Sequence, residues 1–299
     1  MTGRWTVLAR RHGVSLRVCG QGPPVVVIPG MEGSGESCLD VVLPVVRTGI
    51  RVPVEAPGGL GGAFAGTPGR SPDAETGASG GRVILVDYSA ERHRLLGQLV
   101  GTIAGLLRQV LPPDEPVVWW GQSFGNLLIA LVRQRLDLAP GRAVLVSPFT
   151  GLPAVRVRIG HVAMALTPSS VYASTARPTG RLLFGPDPDD AGGPFFGALA
   201  AMHPLTVRRR MGWLAGQDFA SAFLALRDPL GVWLGDRDRL VDLPRQLAFF
   251  SALARRPGDR LTVVGGCGHV VLPLQAMESV RTGVRDWLNL NPPSDARQQ

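Results

Sequence analysis

The chain has no lysine. All 31 of its basic residues are arginine, and against 23 acidic residues they leave a formal net charge of +8. A cationic excess marks a nucleic-acid or anionic-lipid partner when it is clustered. Here no long basic run occurs, and the arginine-only usage fits codon bias. The densest cluster, Arg208-Arg209-Arg210, reads as a solvated helix face, so no nucleic-acid partner is expected. Cysteine is scarce: Cys19, Cys38 and Cys267 are odd in number and show no C-x-x-C spacing. That excludes a disulfide framework and a zinc site, and neither a metal nor a cofactor is expected. Long apolar runs are missing as well. None approaches the roughly 18 residues of a membrane span. Met1 to Gly13 carries Arg4, Arg10 and Arg11 where a secretory leader would have an apolar core, so the expected location is the cytoplasm.

What is present is a globular composition, 45% hydrophobic and 18% charged over 299 residues. That is enough for one large domain or one domain with a substantial insertion. Trp5 to Arg10 and Val14 to Val18 predict two short strands with a turn at Arg11-His12-Gly13. Val25 to Ile28, Arg82 to Tyr88, Val117 to Trp120, Ala143 to Pro148, Leu230 to Leu234 and Leu261 to Val264 are near-continuously apolar. Such runs mark strands buried on both faces of a parallel sheet. Helical periodicity lies between them, clearest at Leu95, Leu96, Leu99, Val100, Ile103, Leu106, Leu107 and Val110. Two stretches break the alternation. Residues 52–82 are rich in Gly, Pro, Ala and Ser and read as an insertion or long surface loop. Residues 151–228 have helical signals at Pro194 to Arg210 and Met211 to Arg227, with a loop at Gly185 to Asp190. The expected organisation is a first core part over 1–150, a helical cap over 151–228, a second core part over 229–290, and a polar tail over 291–299.

One stretch carries chemistry. The strand ending at Trp120 runs into Gly121-Gln122-Ser123-Phe124-Gly125 and then into an apolar helical segment. A serine at the apex of a strand–turn–helix has its hydroxyl pushed above the sheet, and glycines two residues to either side let the backbones pass closely. Gly77-Ala78-Ser79-Gly80-Gly81 also has the G-x-S-x-G spacing but no preceding strand, which makes Ser79 a decoy. Two later loops complete the set. Gly235-Asp236-Arg237-Asp238 follows one strand and Gly265-Gly266-Cys267-Gly268-His269 follows the next. In a parallel sheet both emerge on the edge where the serine sits. The order Ser, Asp, His suits a nucleophile, its acid and its base. His269 would take the Ser123 proton. Asp238 is the preferred orienting acid, because the loop must turn back before a carboxylate can reach His269, and Asp236 is its rival. Phe124 N–H, at the helix start, and Met31 N–H, in the Gly-rich loop after Ile28, are the expected oxyanion donors. Cys267 reads as a small packing residue with a redox role as its alternative.

Together, Val27-Ile28-Pro29-Gly30-Met31-Glu32-Gly33-Ser34-Gly35, Val86-Asp87-Tyr88, Gly121 to Gly125, Gly235 to Asp238 and Gly268-His269 resemble the α/β-hydrolase superfamily. The loop at Pro29 to Gly35 is closest to its bacterial esterase, thioesterase and acyltransferase-like members. The resemblance implies a mostly parallel sheet flanked by helices. In the helical cap, Phe195, Phe196, Met211, Trp213, Phe219 and Phe223 are expected to shape an apolar acyl pocket, with packing of the cap onto the sheet as an equal alternative. The implied activity is that of a serine hydrolase cleaving a small-molecule carboxylic ester through an acyl-enzyme. A thioesterase or acyltransferase with the same triad is the alternative, and a non-catalytic binding protein of the same fold is the alternative of a different class. Members that use Asp as nucleophile, such as epoxide hydrolases and dehalogenases, are disfavoured by Ser123.

Overall fold

The computed structural model describes residues 4–48, 81–185 and 192–289. The insertion expected over 52–82 lies outside them except for its last two residues, as do the decoy Ser79, the tail over 291–299 and most of the loop at Gly185 to Asp190.

Eight strands form one sheet: β1 (Thr6–Arg11), β2 (Val14–Cys19), β3 (Pro24–Ile28), β4 (Arg82–Asp87), β5 (Val118–Gln122), β6 (Arg142–Val146), β7 (Leu230–Gly235) and β8 (Arg260–Val264). Their order across the sheet is β1-β2-β4-β3-β5-β6-β7-β8. β1 and β2 form an antiparallel hairpin closed by His12 (φ 49°) and Gly13 (φ 77°). Two consecutive left-handed residues match the right-handed twist of the strands. β2 joins β4 antiparallel, and β4, β3, β5, β6, β7 and β8 run parallel.

Two cores explain the continuous apolar runs of the interior strands; edge strand β8 departs from the expected two-sided burial, with Val263 half exposed. Val26, Ile28, Trp119, Leu145, Val232 and Leu234 face one side, where they pack on α2 (Leu96–Arg108), α3 (Phe124–Arg133) and α9 (Leu243–Leu253). Val25, Val27, Val118, Trp120, Val144 and Trp233 face the other, against α1 (Glu36–Arg47) and α10 (Leu274–Asn289). Successive strand residues point to opposite faces, so helices on both sides demand apolar residues at every position.

Among the described residues between β6 and β7 lie five helices, α4 (Ala154–Leu166), α5 (Ser169–Phe184), α6 (Gly193–Ala201), α7 (Pro204–Leu214) and α8 (Ala220–Leu224). Their boundaries correct the sequence reading. The helix expected over Pro194 to Arg210 stops at Ala201, because His203 precedes a proline and is extended (φ −71°, ψ 132°). The next helix crosses the expected break at Arg210–Met211 and ends before Gly216, which is left-handed at φ 66°.

Candidate active site

Ser123 sits between β5 and α3 with φ 52° and ψ −120°, a conformation that costs energy for a residue with a side chain. Surrounding groups hold it there. Its N–H donates to Val146 O at 2.9 Å, and its carbonyl accepts from the Asn126 amide N–H at 3.1 Å. The buried Asn126 side chain donates from Nδ2 to Ser123 O at 3.1 Å and to Val146 O at 2.7 Å. The flanking glycines are sterically required. A Cβ on Gly125 would lie 2.0 Å from Ile28 O, and one on Gly121 would lie 2.5 Å from Asn126 Oδ1. Helix α3 and the loop after β3 therefore approach too closely to admit a side chain at Gly125.

His269 is fully buried in the loop after β8. Its Nε2 is 2.7 Å from Ser123 Oγ and its Nδ1 is 2.6 Å from Asp238 Oδ2. The two carboxylates weighed in the sequence thus separate. Asp236 Oδ1 instead accepts from the Cys267 amide at 3.1 Å. Asp238 Oδ1 accepts from the amides of Leu240 and Val241 at 2.9 and 3.3 Å, which fixes the carboxylate within its turn. Burial pushes the Asp238 carboxyl up, but the charge and hydrogen bond of His269 and these two amides outweigh it and hold it below the usual range. An ionised Asp238 facing Nδ1 favours the tautomer with the proton on Nδ1 and the lone pair on Nε2, aimed at the serine.

The loop after β3 lies beside the elbow. Neither the Met31 nor the Phe124 amide N–H donates to a backbone acceptor among the described turns and loops. Gly33 N–H closes the loop onto Gly30 O at 3.1 Å. Tyr88 and Arg210, both fully buried, reach the same loop from β4's end and from α7. The Tyr88 hydroxyl lies 2.8 Å from Pro29 O and also bonds Gly30 O, and Arg210 Nη1 bonds Met31 O. Arg210 also donates to Tyr88 O at 2.7 Å and to Glu91 Oε1 at 3.2 Å. The solvated reading of the arginine cluster therefore fails at Arg210. A helical signal was available, since Val207, Arg210 and Leu214 share the buried stripe of α7. Asn126 was also missed, and its place in the first turn of α3 is the only sequence cue to it.

The aromatic residues expected to line a pocket divide. Phe223 packs edge-on against Phe250, with ring centres 5.4 Å apart, inside the sheet core. Phe195 and Phe196 cluster with Val270, Leu272 and Phe184 beside the histidine loop. Trp213 stacks on Phe124 at 6.3 Å, and Met211 touches Met31's cluster with Tyr172 and Val207. Phe184 and Phe149 stand 6.2 and 6.0 Å from the His269 ring. Cys267 is buried, and burial with the neighbouring Asp236 and Asp238 charges pushes its thiol up to about 12, which suits packing and not redox chemistry. Among the described residues no group of three His, Cys, Asp or Glu could hold a metal ion, and no helix is long and apolar enough to cross a membrane.

A family model described as "Alpha/beta hydrolase family" matches residues 25–281. No curated protein matches the chain. Among solved structures, the chain is similar to an esterase from Exiguobacterium antarcticum at 13% identity, with a TM-score of 0.68 over 93% of this chain and 96% of that one. It is similar to carboxylesterase CesB from Bacillus subtilis at 14% identity, with a TM-score of 0.61 over 97% and 92%. A bromoperoxidase from Bacillus anthracis matches at 14% identity, with a TM-score of 0.65 over 95% and 99%. At such identities the likeness is one of fold.

Proposed function

The chain belongs to the alpha/beta hydrolase family, and from that premise we propose that it is a serine hydrolase that cleaves carboxylic esters. The observation that carries the proposal is the unbroken hydrogen-bonded relay from Asp238 through His269 to Ser123. As Ser123 Oγ attacks the ester carbonyl, His269 Nε2 takes its proton. Asp238 stabilises the imidazolium that forms. The carbonyl oxygen, now an anion, is met by the N–H groups of Met31 and Phe124, the second of which opens α3. The C–O bond to the leaving alcohol then breaks, and His269 gives that alcohol its proton. Water repeats the sequence on the acyl-enzyme, releasing the acid and restoring Ser123.

In this reading residues 1–150 and 229–290 form the core that presents the relay, and residues 151–228 form a cap. The cap touches the site directly, for Phe184 borders His269 and Arg210 bonds the Met31 loop. Thioester hydrolysis and acyl transfer use the same acyl-enzyme and differ in leaving group and acceptor.

A panel of p-nitrophenyl esters of increasing acyl length, run beside matched acyl-thioesters, tests the proposal. Turnover of esters that Ser123→Ala abolishes is the expected result. Turnover of thioesters alone would reassign the substrate class, and ester turnover that survives Ser123→Ala would remove the mechanism.

A further inference from the structure

We infer that Tyr88 and Arg210 are positioning residues that clamp the Met31 backbone from both sides and aim its N–H at the developing oxyanion. The inference rests on the role of Met31 proposed above and extends it to a buried pair outside the relay.

Two peptide units meet at the Met31 Cα. The first carries Gly30 C=O and Met31 N–H; the second carries Met31 C=O. The Gly33 amide donates to the Gly30 oxygen, the single proton of the Tyr88 hydroxyl is shared between the Gly30 and Pro29 oxygens, and Arg210 Nη1 donates to the Met31 oxygen. Both planes that could turn about Met31 are thereby fixed. No described peptide bond is cis, and in a trans unit N–H points opposite to C=O. Donors on the Gly30 oxygen therefore turn the Met31 N–H away from Tyr88, and no backbone carbonyl of the described turns and loops accepts from it. They also polarise the unit, which makes that N–H a stronger donor.

The clamp is itself rigid. The Arg210 guanidinium lies 4.8 Å over the Tyr88 ring and bonds Tyr88 O and Glu91 Oε1. Glu91 is held in turn by Arg209 Nη2 at 2.8 Å and by the His93 amide at 2.7 Å. A fully buried guanidinium needs such compensation, since unpaired it would cost several kcal/mol. Burial keeps the Tyr88 phenol protonated well past its ordinary range, so it remains a donor at every working pH. Because Arg210 comes from α7, donor geometry depends on the seating of the inserted helices.

Tyr88→Phe removes one oxygen and keeps the ring; Arg210→Lys keeps the charge but gathers its donors on one nitrogen in place of the fork whose Nε, Nη1 and Nη2 reach three acceptors. For each folded variant, the test measures ester turnover and the inhibition constants of a trifluoromethyl ketone and the matching methyl ketone. The trifluoromethyl ketone forms an anionic adduct with serine, whereas the methyl ketone reports ground-state binding. Loss of one oxyanion donor outright costs about 10²–10³ in turnover, so misaiming it is expected to cost about 10–100-fold. The trifluoromethyl ketone should weaken by a similar factor and the methyl ketone by less than about twofold. Unchanged turnover in both variants, or equal weakening of both ketones, would overturn the clamp. If the native protein hydrolyses no ester and binds the trifluoromethyl ketone no better than the methyl ketone, the underlying reading fails and the clamp with it. An active native enzyme with fully active variants fails the clamp alone.

Discussion

Gly268 and Gly185 meet backbone to backbone: a Cβ on Gly268 would stand 2.5 Å from the Gly185 Cα and 2.1 Å from Phe184 O. The end of α5 is thus seated on the residue before His269, and Phe184 O accepts from the Val270 amide at 3.2 Å across the same junction. Gly268→Ala must push either α5 or the histidine loop aside. Overpacking of this kind costs about 1–3 kcal/mol, so the thermal midpoint should fall. Ester turnover should drop about tenfold or more as His269 leaves its place. Unfolding scans and kinetics on the purified variant check both.

Asp238 and Asp236 should differ sharply under the same substitution. Asp238→Asn removes the acceptor that selects the His269 tautomer, and turnover should fall by about 10³–10⁴. Asp236→Asn retains an oxygen for the Cys267 amide and should cost under about tenfold. Steady-state kinetics of the pair, with circular dichroism to confirm folding, separates the two carboxylates.

Acid should destabilise the fold through Asp238 and Glu91. Both carboxyls are raised by burial and lowered further by their partners, which are His269 for Asp238 and Arg209 with Arg210 for Glu91; the net direction is down. A depressed folded-state value contributes stability that is present above the unfolded value, about 4 for these groups. It is lost as pH falls through the folded value. Denaturant midpoints should therefore fall below about pH 4.5, and Glu91→Gln should lower stability at neutral pH while flattening that acid slope.

Cys267 should resist alkylation. Its buried thiol, pushed up to about 12, offers almost no thiolate at pH 8. Iodoacetamide followed by peptide mass spectrometry should find Cys267 unmodified in the folded protein and modified after denaturation, with half-buried Cys19 the more accessible thiol.

The parts of the fold and site legible in the sequence were those with a local signature. Ser123 announces itself because a strained turn demands Gly121 and Gly125, and Asp238 follows β7, which is buried at every position. His269 follows β8, an edge strand that buries Val264 and leaves Val263 half exposed, so its apolar run marks a strand but not two-sided burial. α4 and α5 were illegible for the opposite reason. α4 exposes Val155, Ile159, Val162 and Leu166 and buries Val157, and α5 carries Pro178 inside it, so apolar spacing and breakers misreport both. Arg210 shows the limit of composition. Charge predicts solvent exposure, but a partner 119 residues away in sequence, Glu91, permits burial. Long-range pairing of that kind leaves no mark on the local pattern.

The most direct test of Ser123 as nucleophile is covalent. A fluorophosphonate probe incubated with the native protein, followed by peptide mass spectrometry, reads out which hydroxyl is activated. A catalytic Ser123 takes up stoichiometric label, labels much more slowly in His269→Ala, and takes up none in Ser123→Ala. Label on another residue, or label that persists undiminished in Ser123→Ala, would contradict that role.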